Sequence, residues 1–219
     1  MQNTKIISIL SHPCGDYQTN CYIIKFEDEN NEQKEIIIDP GMGATSWVSN
    51  QVSNPIAILN THGHFDHVWS NQELKAKYDI PIYCPKDDVF MLQDDPFGQG
   101  TPKSEVDVIV EYEDYKSVYN IGGLEVVFHH FAGHTPGCSA ITIYDKSNKE
   151  NIMFAGDFIF NNSIGRVDFP YSVPSDMKDS INRVLGWIEK EDYTIHSGHG
   201  ASTTLNAERS SLKNWLNYI

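Results

Sequence analysis

Apolar residues in this chain fall mainly in short runs closed by Gly, Pro, Asp or Asn. Ten such runs read as strands: 5–10, 21–26, 35–38, 56–59, 81–84, 106–110, 124–128, 139–144, 152–155 and 193–196. Several are apolar throughout, as strands buried on both faces require. The run EIIID stops at Asp39-Pro40-Gly41, and Ile121-Gly122-Gly123 predicts a hairpin. Between these runs the spacing lengthens to that of helices, at 44–51, 68–78, 85–93, 175–190 and 207–218. The span 175–190 has the best helical pattern, with Met177, Ile181, Val184, Leu185 and Ile188 on one face and Ser175 as the expected N-cap. The stretch DDPFGQGTP is expected to be a surface loop.

Strand-rich stretches punctuated by helices in both halves predict sheets covered by helices, an α/β layered sandwich. No linker divides the chain, so residues 1–219 are expected to form one domain. With 40% apolar and 11% aromatic residues the chain can bury a sizeable core. A net charge of −14 repels phosphate backbones and argues against nucleic acid as a partner. The first apolar run, 6–10, is too short for a signal core or a membrane span, so the expected location is cytoplasmic, with no membrane partner. Cys14, Cys21, Cys84 and Cys138 form no C-x-x-C pair and are read as reduced, structural thiols. Trp187 and Trp215 are read as core residues, and the pattern leaves the oligomeric state open.

One stretch changes the picture. THGHFDH, residues 61–67, packs three histidines and an aspartate between the buried run IAIL and a helix. His62 and His64 can aim at one ion from an extended loop, and Asp66 and His67 at a second from the turn into the helix. Imidazole nitrogen and carboxylate oxygen suit zinc, and also iron or manganese. Further donors stand at the ends of other apolar runs, each beside glycine: His134 in GHTPG, Asp157 in AGD and His199 in GHG. His12, His129, His130 and His196 belong to no such motif and are read as structural.

In order, NCYII, IIIDPG, THGHFDH, GHTPG, GD and GHG make the chain resemble the metallo-β-lactamase-fold hydrolases. The resemblance covers nearly the whole chain and implies a four-layer αββα sandwich with metals at one edge. It implies that His62, His64 and His134 hold one metal, that Asp66, His67 and His199 hold a second, and that Asp157 bridges them. Asp66 and Asp157 are thereby the expected catalytic carboxylates of a site with two divalent ions, zinc first. Asp39 is expected to fix the tautomer of a ligand histidine.

Two such cations activate a shared water for attack on a carbonyl or phosphoryl centre. GDFIFNNSIGRVDFP resembles the glyoxalase II-like branch, which implies thioester hydrolysis, possible glutathione-derived substrates and a substrate-binding Arg166. The departures are Arg166 and Asp168 in place of a lysine and tyrosine, and only residues 200–219 after His199. Arg209 and Lys213 on the last helix are the alternative glutathione contacts. Rival expectations are a mononuclear-iron persulfide dioxygenase, a lactonase or phosphodiesterase of the same fold, and a non-enzymatic module with structural metal.

Overall fold

The computed structural model describes residues 4–187 and 191–219. Its elements in chain order are β1 (Lys5–Cys14), β2 (Thr19–Glu27), β3 (Gln33–Ile38), α1 (Ala44–Gln51), β4 (Pro55–Leu59), α2 (Phe65–Val68), α3 (Asn71–Tyr78) and β5 (Ile82–Pro85). A 3-10 turn (Lys86–Asp88) leads into α4 (Val89–Asp94), followed by β6 (Val108–Val110), β7 (Lys116–Ile121), β8 (Leu124–His130), β9 (Ser139–Asp145) and β10 (Glu150–Gly156). The chain closes with β11 (Ile159–Phe160), β12 (Ser163–Ile164), α5 (Pro174–Leu185), β13 (Thr194–Ser197), β14 (Thr203–Thr204) and α6 (Leu205–Trp215).

Two six-stranded sheets, ordered β1-β2-β3-β4-β5-β6 and β14-β13-β10-β9-β8-β7, face each other. The alternation of side chains along a strand explains why the runs are apolar throughout. In β2 and β3, Tyr22, Ile24, Phe26, Ile36 and Ile38 point between the sheets. Ile23 and Ile37 point the other way, onto Ala44 and Val48 of α1 and Leu74 of α3. In β10, Ile152 and Phe154 enter the inter-sheet core, while Met153 and Ala155 pack on Met177, Ile181 and Val184 of α5 and Leu212 of α6. Each sheet thus separates two cores, and the layers are helix, sheet, sheet, helix: the αββα sandwich expected.

Three local expectations need correction. The span 68–78 is not one helix: α2 ends at Val68 and α3 starts at Asn71, with Ser70 between them donating its hydroxyl to Gly41 O at 2.7 Å. Ser175 is not an N-cap; α5 starts at Pro174, where a proline costs no helical hydrogen bond, and Val173 precedes it in an extended conformation. That helix ends at Leu185, and the last three residues of the predicted span, 188–190, lie outside the described residues. No helix among the described residues is long and apolar enough to cross a membrane.

Parallel pairing decides where the loops go. β3 and β4 run parallel, with Ile38 beside Leu59, and β10 and β13 run parallel, with Gly156 beside Ser197. The segments that follow these four strands begin with Asp39, Asn60, Asp157 and Gly198, so they emerge together at one edge of the sandwich. There the halves are laced. Asn20 N donates to Gly198 O at 2.7 Å, and the Tyr22 hydroxyl donates to Ser197 O at 2.6 Å. Asn20 Nδ2 donates to Ser197 O and Gly200 O. This is the structural content of the N-C-Y triplet in β2.

Candidate metal centre

All seven predicted donors converge at that edge. His62, His64 and His134 offer nitrogens within 4.8 Å of one another, and so do the donors of Asp66, His67 and His199. Asp157 lies between the groups: Oδ2 is 3.4 Å from His134 Nε2 and 3.4 Å from His199 Nε2, and Oδ1 is 3.3 Å from His67 Nε2. Asp66 Oδ2 is 3.4 Å from His199 Nε2. His199 alone is partly exposed; the other six are buried.

Hydrogen bonds on the far side of each ring set its tautomer. His67 Nδ1 donates to Asp39 Oδ2 at 3.0 Å, His134 Nδ1 to Arg166 O at 2.8 Å, and His199 Nδ1 to Tyr17 O at 3.0 Å. Each ring therefore turns an Nε2 lone pair into the site. His62 Nδ1 donates to Thr61 Oγ1 at 3.0 Å, and that hydroxyl donates to Asp39 Oδ2 at 2.5 Å. Asp39 Oδ1 also accepts from Thr61 N at 2.8 Å. One carboxylate thus orients His67 directly and His62 through Thr61. It sits at φ 47°, a left-handed turn that aspartate tolerates. Thr19 Oγ1 donates to Asp66 Oδ2 at 2.6 Å.

The donor set fits cations. His67 Nε2 and His199 Nε2 lie 3.4 Å apart, and His64 Nδ1 and His134 Nε2 lie 2.9 Å apart. Neutral lone pairs this close repel unless a proton or a cation stands between them. Among the described residues, Nε2 of His62 and Oδ1 of Asp157 are buried without a hydrogen-bond partner, a cost that ligation removes. Protons show the same demand. Burial pushes His67 and His199 down, but the Asp157 and Asp66 carboxylates overcome it, raising His67 well above the usual imidazole range and His199 to about 9. Burial likewise pushes Asp157 up, yet His67, His199 and His134 hold it well below the ordinary carboxylate range. His62 and His64 are held neutral chiefly by burial, His64 down to about 3.

Close approach explains one of the glycines. A Cβ on Gly198 would stand 2.2 Å from Asp157 Oδ1 and 2.8 Å from His67 Cε1. A further positioning residue carried no mark in the sequence: Asp88, at the end of the 3-10 turn. Its Oδ2 accepts from Gly63 N at 2.9 Å and Thr135 Oγ1 at 2.6 Å, and its Oδ1 from Gly137 N at 2.7 Å. It ties the loop carrying His62 and His64 to the loop carrying His134. Burial raises its carboxyl to about 6 against those three bonds.

A cavity of about 620 Å³ opens over the cluster. Arg166 lines it, with Nε and Nη2 on Asp168 at 2.7 and 2.9 Å. Phe97 and Gln99 of the predicted surface loop are part of its wall, so that loop is a pocket element. Arg209 and Lys213 are not among the lining residues. His12 stacks on Trp47, His129 bonds Thr142, His130 donates to Pro136 O and His196 packs between Tyr22 and Phe154. Cys138 is fully buried, and burial pushes its thiol well up.

Comparison with known proteins agrees with this geometry. A sequence profile of the metallo-β-lactamase superfamily matches residues 14–199. The hydroxyacylglutathione hydrolase GloC of Haemophilus influenzae is 30% identical over 207 residues, covering 91% of this chain and 93% of that one. Among solved structures, the BLEG-1 B3 metallo-β-lactamase matches with a TM-score of 0.77 at 27% identity, over 93% of this chain and 97% of that one. TTHA1623 in a di-iron-bound form matches with a TM-score of 0.72 at 28% identity, over 92% and 98%.

Proposed function

This chain belongs to the metallo-β-lactamase superfamily of metal-dependent hydrolases, its His/Asp cluster implies divalent metal, and from that premise we propose that it hydrolyses thioesters with two divalent cations. His62, His64 and His134 would hold one cation, and Asp66, His67 and His199 the other. The observation that carries the reading is Asp157, whose Oδ2 is equidistant from His134 and His199, one from each group. A carboxylate has two oxygens and can serve both groups; an imidazole cannot.

When bound, the cations supply Lewis acidity toward the carbonyl and a water acidic enough to attack near neutral pH. The chain's own residues do the rest. Asp39, Thr61, Arg166 O and Tyr17 O keep imidazole lone pairs aimed inward, so no reorganisation accompanies the reaction. Thr19 donates to Asp66 Oδ2 and fixes that carboxylate beside His199. Attack on the carbonyl breaks the carbon–sulfur bond, giving an acid and a thiol. All four cysteines are buried, so none of them is assigned as a nucleophile.

Zinc is the first metal to test, with iron and manganese beside it. The similarity to GloC makes hydroxyacylglutathione thioesters the first substrates to test. The same reading treats residues 1–219 as one catalytic domain. The test is a panel of thioesters, lactones, phosphodiesters and a β-lactam, run on protein loaded with each metal. Thioester turnover lost on chelation supports the proposal. Oxygen uptake with a persulfide, or turnover confined to another ester class, overturns the thioester assignment.

A further inference from the structure

The wall of the cavity beyond the metal cluster is aromatic. Phe65, Phe97, Phe160, Phe169 and Tyr17 line it together with Ile164. Three of these rings are in contact with one another. Tyr17 meets Phe65 at 5.1 Å and Phe65 meets Phe97 at 6.4 Å between centroids. Phe97 and Phe169 lie 5.1 and 6.0 Å from the ring of His64, so the apolar surface runs up to a ligand histidine.

Both loop-borne rings are braced. The loop carrying Phe97 is closed by Asp95, which accepts hydrogen bonds from Gln99 N, Gly100 N and Thr101 Oγ1. Tyr171 packs edge-on against Phe97 at 6.0 Å. Phe169 lies 3.7 Å beneath the Arg166 guanidinium, and Asp168 holds that guanidinium at two atoms. Phe169 is nonetheless exposed, as is Tyr17, which would be costly surface if nothing came to cover it.

Charge narrows the occupant. Arg166 is the only Lys or Arg among the lining residues, and its charge is matched by Asp168. A carrier with several carboxylates would have to share that one guanidinium with Asp168. A neutral, apolar group meets no such conflict and gains from burial against the rings.

Resting on the thioester reading above, we propose that the substrate is an uncharged thioester bearing an aromatic or branched apolar group next to the scissile carbonyl. Arg166 then serves as a brace for Phe169 and takes no part in holding a carboxylate. Phe97 and Phe169 set the specificity.

The experiment compares kcat/KM for the phenylacetyl thioester of N-acetylcysteamine with that for S-lactoylglutathione. Binding of the inert ketone in which CH2 replaces the thioester sulfur is measured by calorimetry on the same protein. The expected preference for the phenylacetyl substrate is at least about tenfold, the scale on which apolar pockets discriminate. Phe97→Ala and Phe169→Ala should each lower that ratio and weaken ketone binding, by about tenfold together. Equal or better turnover of S-lactoylglutathione overturns the inference while leaving thioester hydrolysis standing. If no thioester reacts but the ketone binds and either variant weakens it, thioester hydrolysis fails and the apolar pocket stands. A ketone that does not bind, or binds both variants as well as the parent, overturns the pocket.

Discussion

Asp88→Asn isolates the cost of the charge that ties the metal loops together. Burial raises the Asp88 carboxyl from 3.8 to about 6 on folding. The folded chain therefore holds that proton more tightly than the unfolded chain. The residue's contribution to stability is full below the unfolded value and is lost as pH rises through the folded one. At 1.36 kcal/mol per decade the loss is roughly 3 kcal/mol. Asparagine has the same shape and does not titrate. Between pH 4 and pH 7.5 the stability of the parent should fall relative to the variant by about 2.5 kcal/mol, the rest of the loss lying below pH 4, with no further change above pH 7. Urea unfolding with chelator present, at pH 4, 5, 6 and 7.5, reads this difference directly and cancels every group the two proteins share. A parent that gains on the variant as pH rises would refute the reasoning: the three hydrogen bonds would then outweigh burial. The same variant should lose metal affinity at neutral pH. An amide cannot accept at both ends, so either the Gly63 or the Gly137 amide loses its partner.

Further outcomes follow from the same geometry. Asp39→Asn removes one acceptor from the network that orients His67 and His62, and zinc affinity in competition with a chromophoric chelator should fall about 10–100-fold; an unchanged affinity would remove Asp39 from the site. Gly198→Ala puts a methyl 2.2 Å from Asp157 Oδ1, so metal affinity should fall at least as far while both sheets persist by circular dichroism; full affinity would mean that the loop yields freely. Zinc should raise the thermal midpoint in proportion to the logarithm of its concentration, as for any ligand that binds only the folded state. A midpoint indifferent to zinc would argue against a folded-state site.

The donors of this centre were legible because each stands at the end of an apolar run and beside a glycine or another donor. Parallel pairing of β3 with β4 and of β10 with β13 then carries those run-ends to one edge, a consequence of topology that periodicity alone does not specify. Asp88 was not legible. It is the second of two adjacent aspartates, a pattern shared with solvated surface, and only the fold brings Gly63, Thr135 and Gly137 to it. The loop at 94–103 misled for the same reason, since its polar composition is that of a surface excursion while Phe97 turns inward to face His64. Strands 5–10 and 124–128 were read short because His12 and His130 are polar; strand pairing continues through both. The split at Ser70 was hidden because the serine's role is a tertiary hydrogen bond to Gly41.

The most direct test is the number of zinc ions bound per chain after equilibrium dialysis of metal-free protein, for the parent and for Asp157→Ala. Two ions on the parent, with fewer than two on a folded variant, is the expected result. A parent that binds at most one ion, or a variant that still binds two with parental affinity, would contradict a paired centre bridged by Asp157.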